Sequence, residues 1–190
     1  MPVIKLPKLK TDKVKADLKE ALSKLAKGGF RKIFDHLDQL KIKKGVDKLG
    51  IEKFINQCAF LAAGSGAIIG LGGFSTILIG VPLDIANLIT QQFRVTMAIA
   101  YYNTGSTSLD FNDFMRIVAS SLRVDTGMAI SKNVMEEVAE KLMVNIGSKT
   151  AERLMPVVGA AIGGTVNYLF IKRIGDNLLK KNPQQTIVIK

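Results

Sequence analysis

The chain is expected to be all-α: a compact multi-helix domain of closely packed, glycine-rich apolar helices, preceded by a basic amphipathic helical arm. Three observations predict this. Apolar residues recur every three or four positions along most of the chain. The β-prone stretch Thr186-Ile187-Val188-Ile189 is too short to define a sheet. Two glycine-bearing runs carry no charge at all, 30 residues from Phe54 to Leu83 and 18 from Leu154 to Ile171.

Taken in order, residues 1–10 are rich in proline and lysine and read as an arm. From Asp12 to Lys27 the residues Val14, Leu18, Ala21, Leu22 and Leu25 share one helical face and lysines take the other. Gly28-Gly29 interrupts, after which Phe30, Ile33, Phe34, Leu37 and Leu40 resume the pattern. Gly45 and Gly50 mark further loose points. The first uncharged run follows. It is longer than the ~20 apolar residues that cross a bilayer, but Gly72-Gly73 would break it into two short helices. Pro82 suits the first turn of a new helix, with Asp84 near its positive end, and that helix should reach about Tyr102. A loop at 103–106 precedes a helix marked by Phe111, Phe114, Met115, Val118 and Leu122. From Ile130 to Ile146 an amphipathic helix should turn Val134, Val138, Leu142 and Ile146 inward and Glu136, Glu137, Glu140 and Lys141 outward. The second uncharged run, with Pro156, ends in the charged stretch from Lys172 to Lys181. The division expected is an arm over 1–49, a helical domain over 50–182 and a tail over 183–190.

A chain of 190 residues can bury a real core, and 47% apolar with 23% charged residues fits neither disorder nor a simple bundle of spans. The net charge of +11 calls for an anionic partner. It is concentrated early: residues 1–50 hold 14 Lys/Arg against 6 Asp/Glu. Thirteen of those cations are lysine and only Arg31 is arginine, with few interleaved aromatics, which argues against nucleic acid; the basic amphipathic face either adsorbs to anionic lipid or is an ordinary surface helix whose lysines are solvated. The single cysteine, Cys58, excludes an intrachain disulfide and favours a reducing compartment. The first residues lack the apolar core of a signal peptide.

Two features are out of the ordinary. Asp84, Asn87, Gln91 and Arg94 follow 3-4-3 spacing, so they share a helical face that Tyr101 extends. Asp84 and Arg94 lie about 15 Å apart along one helix, so each needs a partner from elsewhere. Lys172, Arg173 and Asn167 are the expected partners of Asp84, and loss of that pair should cost several kcal/mol. The stripe is either a structural polar network or a ligand site. The second feature is small-residue spacing: Gly66 and Gly70, Gly159 and Gly163, and Ala160 with Gly164 are each four apart, which lets helix backbones approach closely. No catalytic residues stand out. His36 is the lone histidine, Cys58 reads as core, no cluster has metal-ligand spacing, and Gly70-Leu71-Gly72-Gly73 lacks the Lys-Ser/Thr of a phosphate loop. Neither metal, cofactor nor enzymatic activity is expected.

Ala62-Ala63-Gly64 through Gly80-Val81-Pro82-Leu83-Asp84, then Arg94 and Ile99-Ala100-Tyr101-Tyr102, resembles the core of the EcsC protein family. In that family a glycine-rich apolar segment leads into a Pro-x-Asp helix start. The run from Pro156 to Gly164, followed by Asn167-Tyr168 and Lys172-Arg173-Ile174-Gly175, is similar to its second half. The likeness covers roughly residues 50–175 and departs at Tyr102-Asn103-Thr104-Gly105, where the family more often has a Tyr-Gly-Tyr-Asp-like stretch. The resemblance implies a bacterial, helical, membrane-associated protein, sometimes encoded beside an ABC transporter, with no established enzyme activity. The function expected is therefore binding of anionic lipid or a membrane protein on the cytoplasmic face of a bacterial inner membrane, peripheral or partly inserted. The alternatives are a soluble helical module holding a hydrophobic ligand, and a permeabilising effector that inserts its glycine-rich hairpin. An arm that docks electrostatically should lose anionic-vesicle binding when residues 1–45 are removed.

Overall fold

Helices account for every regular element among the described residues of the computed structural model, which are 20–21, 23–64, 81, 83–127, 129–147 and 159–180. A π-type turn, Leu25–Gly29, runs into α1 (Phe30–Asp35), and a 3-10 turn, Leu37–Leu40, leads to α2 (Ile42–Leu49). Then come α3 (Ile51–Ala63), α4 (Leu83–Thr104), α5 (Phe111–Ser121), α6 (Lys132–Gly147) and α7 (Gly159–Lys180). The all-α expectation therefore holds.

Helix α4 is the axle. Sixteen consecutive residues, Ile85 to Ala100, are buried, so it is covered on every side. Helices α3, α7, α2, α5 and α1 pack against it. Asn87 meets Leu61 and Arg94 lies over Phe54, so α3 and α4 run antiparallel. Gly164 lies against Ala63 and Gly175 against Ile55, so α3 and α7 are antiparallel as well. Helices α4 and α7 thus start at the same end of the bundle, where α3 stops.

The N-terminal segment is not a detached arm where it is described. Leu25, Phe30, Ile33 and Leu37 are at most 2% exposed and share one core with α3, α4 and α7. Phe30 meets Phe93 at 5.9 Å between centroids, and Phe34 meets Phe114 at 4.9 Å. The break at Gly28-Gly29 is a kink at Gly28 within the π-type turn, and Leu25 before it and Phe30 after it both reach the core. The boundary at 49/50 is only the Gly50 junction between α2 and α3, with φ +78°. Removing residues 1–45 would strip out this part of the core, so that deletion cannot isolate a charge effect. The start of the helix expected over Asp12 to Lys27, the tail 183–190 and the glycines Gly66 and Gly70 lie outside the described residues; the end of that helix, Glu20-Ala21 and Ser23-Lys24, is helical and runs into the π-type turn.

Other expectations match closely. Asp110 caps α5, accepting from the backbone N–H of Asn112 at 2.7 Å and of Asp113 at 3.0 Å, which holds its carboxyl below the usual range, the Asp113 bond contributing most. Phe114, Met115 and Val118, among the residues that marked this helix, are buried. In α6, Val138 and Leu142 are buried while Glu136, Glu137, Glu140 and Lys141 are exposed. Helix α4 extends two residues beyond Tyr102 and stops at Gly105, whose φ of +74° suits glycine. The 30-residue uncharged run is not one helix: α3 ends at Ala63 and Gly64 is extended. No helix among the described residues is long and apolar enough to cross a membrane.

Candidate functional site

Helix α2 carries the strongest local charge. Its eight residues place Ile42 and Val46 in the core, so Lys43, Lys44, Asp47 and Lys48 must face out. Lys41, with φ +51°, precedes them in the left-handed conformation. Gly45 holds the helix close to α3, since a Cβ there would meet the Phe54 ring at 2.5 Å. Lys41, Lys43, Lys44, Asp47 and Lys48 line a shallow, open depression of about 550 Å³. None of these four lysines enters an ion pair among the described residues. The one acid in the group, Asp47, accepts a hydrogen bond from the Tyr101 hydroxyl at 2.7 Å, and Lys43 Nζ lies 5.8 Å from the centre of the same ring. That hydrogen bond to Asp47 is the main reason the Tyr101 phenol titrates above its ordinary value.

The polar stripe of α4 is built differently from its sequence pattern. Asn87 Nδ2 donates to the Leu61 carbonyl at 2.8 Å. Gln91 Nε2 donates to Asn87 Oδ1 at 3.0 Å, and Arg94 Nη1 donates to Gln91 Oε1 at 2.8 Å. All three side chains are buried. The chain of donors points from the guanidinium toward the last turn of α3, whose free carbonyls carry partial negative charge. Arg94 is thus offset by a helix C-terminus through two amides, and by the Phe54 ring 5.3 Å from its Cζ. Its Nε has no hydrogen-bond partner among the described residues. Asn167 of α7 donates to the next carbonyl, Ala62, at 3.1 Å, so two asparagines from two helices cap α3. Beside this network, burial pushes the Cys58 thiol up to about 11, opposed in part by Arg94, which makes it a core residue and not a nucleophile.

Of the predicted stripe, the structure joins Asn87, Gln91 and Arg94 and leaves out both ends. Tyr101 reaches α2 instead. Asp84 is exposed in the first turn of α4 and forms no ion pair among the described residues, which overturns its expected pairing. Lys172 pairs with Asp176 one turn along α7, Arg173 is exposed, and Asn167 serves α3. The reason is direction. Because α4 and α7 start at the same end, Asp84 is level with the start of α7, whereas Lys172 lies 13 residues into that helix, about 20 Å along it. Asp84→Ala is accordingly expected to cost only the helix-end term, about 0.3–1 kcal/mol, in a urea titration; a loss of several kcal/mol would restore a buried pair.

Close packing is observed, at glycines partly different from those anticipated. A Cβ on Gly164 would lie 2.9 Å from the Ala63 carbonyl oxygen, and one on Gly175 would lie 2.6 Å from Ile55 Cγ2. Gly159 and Gly163 belong to α7, but their surroundings lie outside the described side chains. The sequence also gave no warning of Gln92 and Thr96, which lie one turn apart on the side of α4 away from the relay. Both are fully buried, and their side-chain polar atoms have no hydrogen-bond partner among the described residues. Among the described residues no group of His, Cys, Asp or Glu is placed to hold a metal ion.

Comparison of the chain with protein-family models, with curated proteins and with solved structures found no match.

Proposed function

We propose that this protein binds anionic membrane surfaces through the lysine face of α2, without catalysis, on the cytoplasmic side of a bacterial inner membrane as its resemblance to the EcsC family implies. The observation that carries the reading is the group Lys41, Lys43, Lys44 and Lys48: four exposed cations around one depression, none in an ion pair among the described residues, with the neighbouring carboxylate engaged by Tyr101. An unneutralised basic face attracts anionic headgroups, with up to about 1 kcal/mol from each lysine near the surface. The rigid packing of Ile42 and Val46 keeps the lysines on one side, so they meet a flat surface together.

The test is charge reversal, since these side chains lie outside the core. Lys43→Glu/Lys44→Glu/Lys48→Glu should melt close to the parent protein. It should bind vesicles containing phosphatidylglycerol at least tenfold more weakly in sedimentation, and raising salt should reproduce the loss in the parent. Unchanged, salt-insensitive binding by the triple variant, or equal binding to neutral phosphatidylcholine vesicles, would sink the reading. Capture of a membrane protein that survives the triple substitution would point to the protein-partner alternative.

A further inference from the structure

Exposed apolar side chains are ordinary singly and informative where they gather, and four large ones are more than half exposed among the described residues: Phe60, Leu83, Tyr102 and Leu169. Phe60 is the most exposed, at 68%. It stands near the end of α3, its ring 5.0 Å from that of Tyr168 on α7, and the neighbouring Leu169 is 53% exposed. Leu83 opens α4 at this same end of the bundle. Toward the other end of α3, Lys53 and Gln57 precede Phe60 at helical spacing on the exposed side. A depression of about 450 Å³ runs along that side, lined by Leu49, Lys53, Asn56, Gln57, Phe60 and Leu61, with largely apolar walls and no acidic residue. Its foot adjoins Lys48, the last lysine of the α2 face, through Leu49.

The side of α3 therefore grades from cationic to apolar over about 10 Å, the seven residues from Lys53 to Phe60 at 1.5 Å each. A bilayer surface grades the same way, from anionic headgroup to acyl chain, over a comparable depth, and surface-lying helices match it with lysines beside aromatic and leucine side chains.

We propose that Phe60, backed by Tyr168, is the point at which this protein enters the lipid: with the lysine face docked, α3 inclines into the bilayer so that Lys53 stays among the headgroups and the Phe60 ring reaches the acyl boundary. This rests on the docking proposed above and adds to it an orientation and an apolar contact. The occupant is lipid because Lys53, the lining of the depression and the exposed Phe60 ring follow one another along the exposed side of α3.

The protein contains no tryptophan, so Phe60→Trp creates a single fluorescent reporter at the site. Glu137→Trp, on the exposed side of α6 and away from α3, serves as the control. With phosphatidylglycerol vesicles carrying brominated acyl chains, Trp at 60 should shift to the blue and be quenched, while Trp at 137 should show neither. Phe60→Asp should weaken vesicle binding by about tenfold or more, as expected when burial of one aromatic side chain is lost. Vesicle binding with Trp at 60 unshifted and unquenched would overturn the insertion point and leave the lysine docking standing. No vesicle binding by either reporter protein would overturn both. A blue shift that depends on protein concentration without vesicles would replace lipid by a second copy of the chain.

Discussion

Gly164→Leu is expected to lower the stability of the fold by roughly 3 kcal/mol or more, a melting shift of about 6–12 °C for a protein of this size. Even the first carbon of the new side chain would be placed 2.9 Å from the Ala63 carbonyl oxygen, and that oxygen belongs to the backbone of the last turn of α3. No rotamer change relieves such a contact, so α3 and α7 must move apart. Their separation would strain the Asn167 bond to Ala62, one turn further on, and loosen the approach of Gly175 to Ile55. Gly175→Leu should behave similarly but less severely, because it meets a side chain that can yield in part. Asn177→Leu is the control: its side chain is exposed on α7, and surface changes of this kind stay within about 0.5 kcal/mol. Differential scanning calorimetry of the three variants decides the matter, and a Gly164→Leu protein melting with the parent would show that the helices do not meet there.

The second large effect is expected at Asn87. Its amide is the middle of the relay, donating to Leu61 and accepting from Gln91. Alanine would strand a carbonyl and an amide donor in the interior at about 1–3 kcal/mol each, for a total of about 2–6 kcal/mol. Arg94→Met should cost distinctly less. It leaves Gln91 Oε1 without its donor, but it also relieves the burial of a cation that has no carboxylate beside it among the described residues, and methionine fills similar space. The order Asn87→Ala, then Arg94→Met, then Asp84→Ala, measured by urea unfolding, separates a buried structural relay from a stripe of independent surface groups. If Asn87→Ala and Asp84→Ala proved equal, the relay would contribute nothing to stability.

The lysine face was only half legible. Its charge is plain in the first 50 residues, but the sequence spread the lysines along a supposed arm, and the fold gathers four of them on one short helix anchored by Ile42 and Val46. Asp47 and Tyr101 are 54 residues apart, and no local spacing could have joined them. Phe60 was hidden for the opposite reason: within an uncharged run it looks like any core residue, and only the packing of α3 between α4 and α7 leaves its ring outside.

What the sequence determined by itself is what short-range periodicity controls. The helices from Leu83, Phe111 and Lys132, the inward faces of α5 and α6, and the sharing of one face by Asn87, Gln91 and Arg94 all follow from spacings of three and four residues, because a helix repeats every 3.6. Tertiary structure decided the rest. It determined that Leu25 to Val46 belong to the core, that Gly164 and Gly175 bear the close contacts, that Asn167 caps α3, and that Asp84 faces water. Each of these depends on which helix end lies beside which. That is set by the direction in which whole helices pack, a property of contacts between distant parts of the chain that no local pattern encodes.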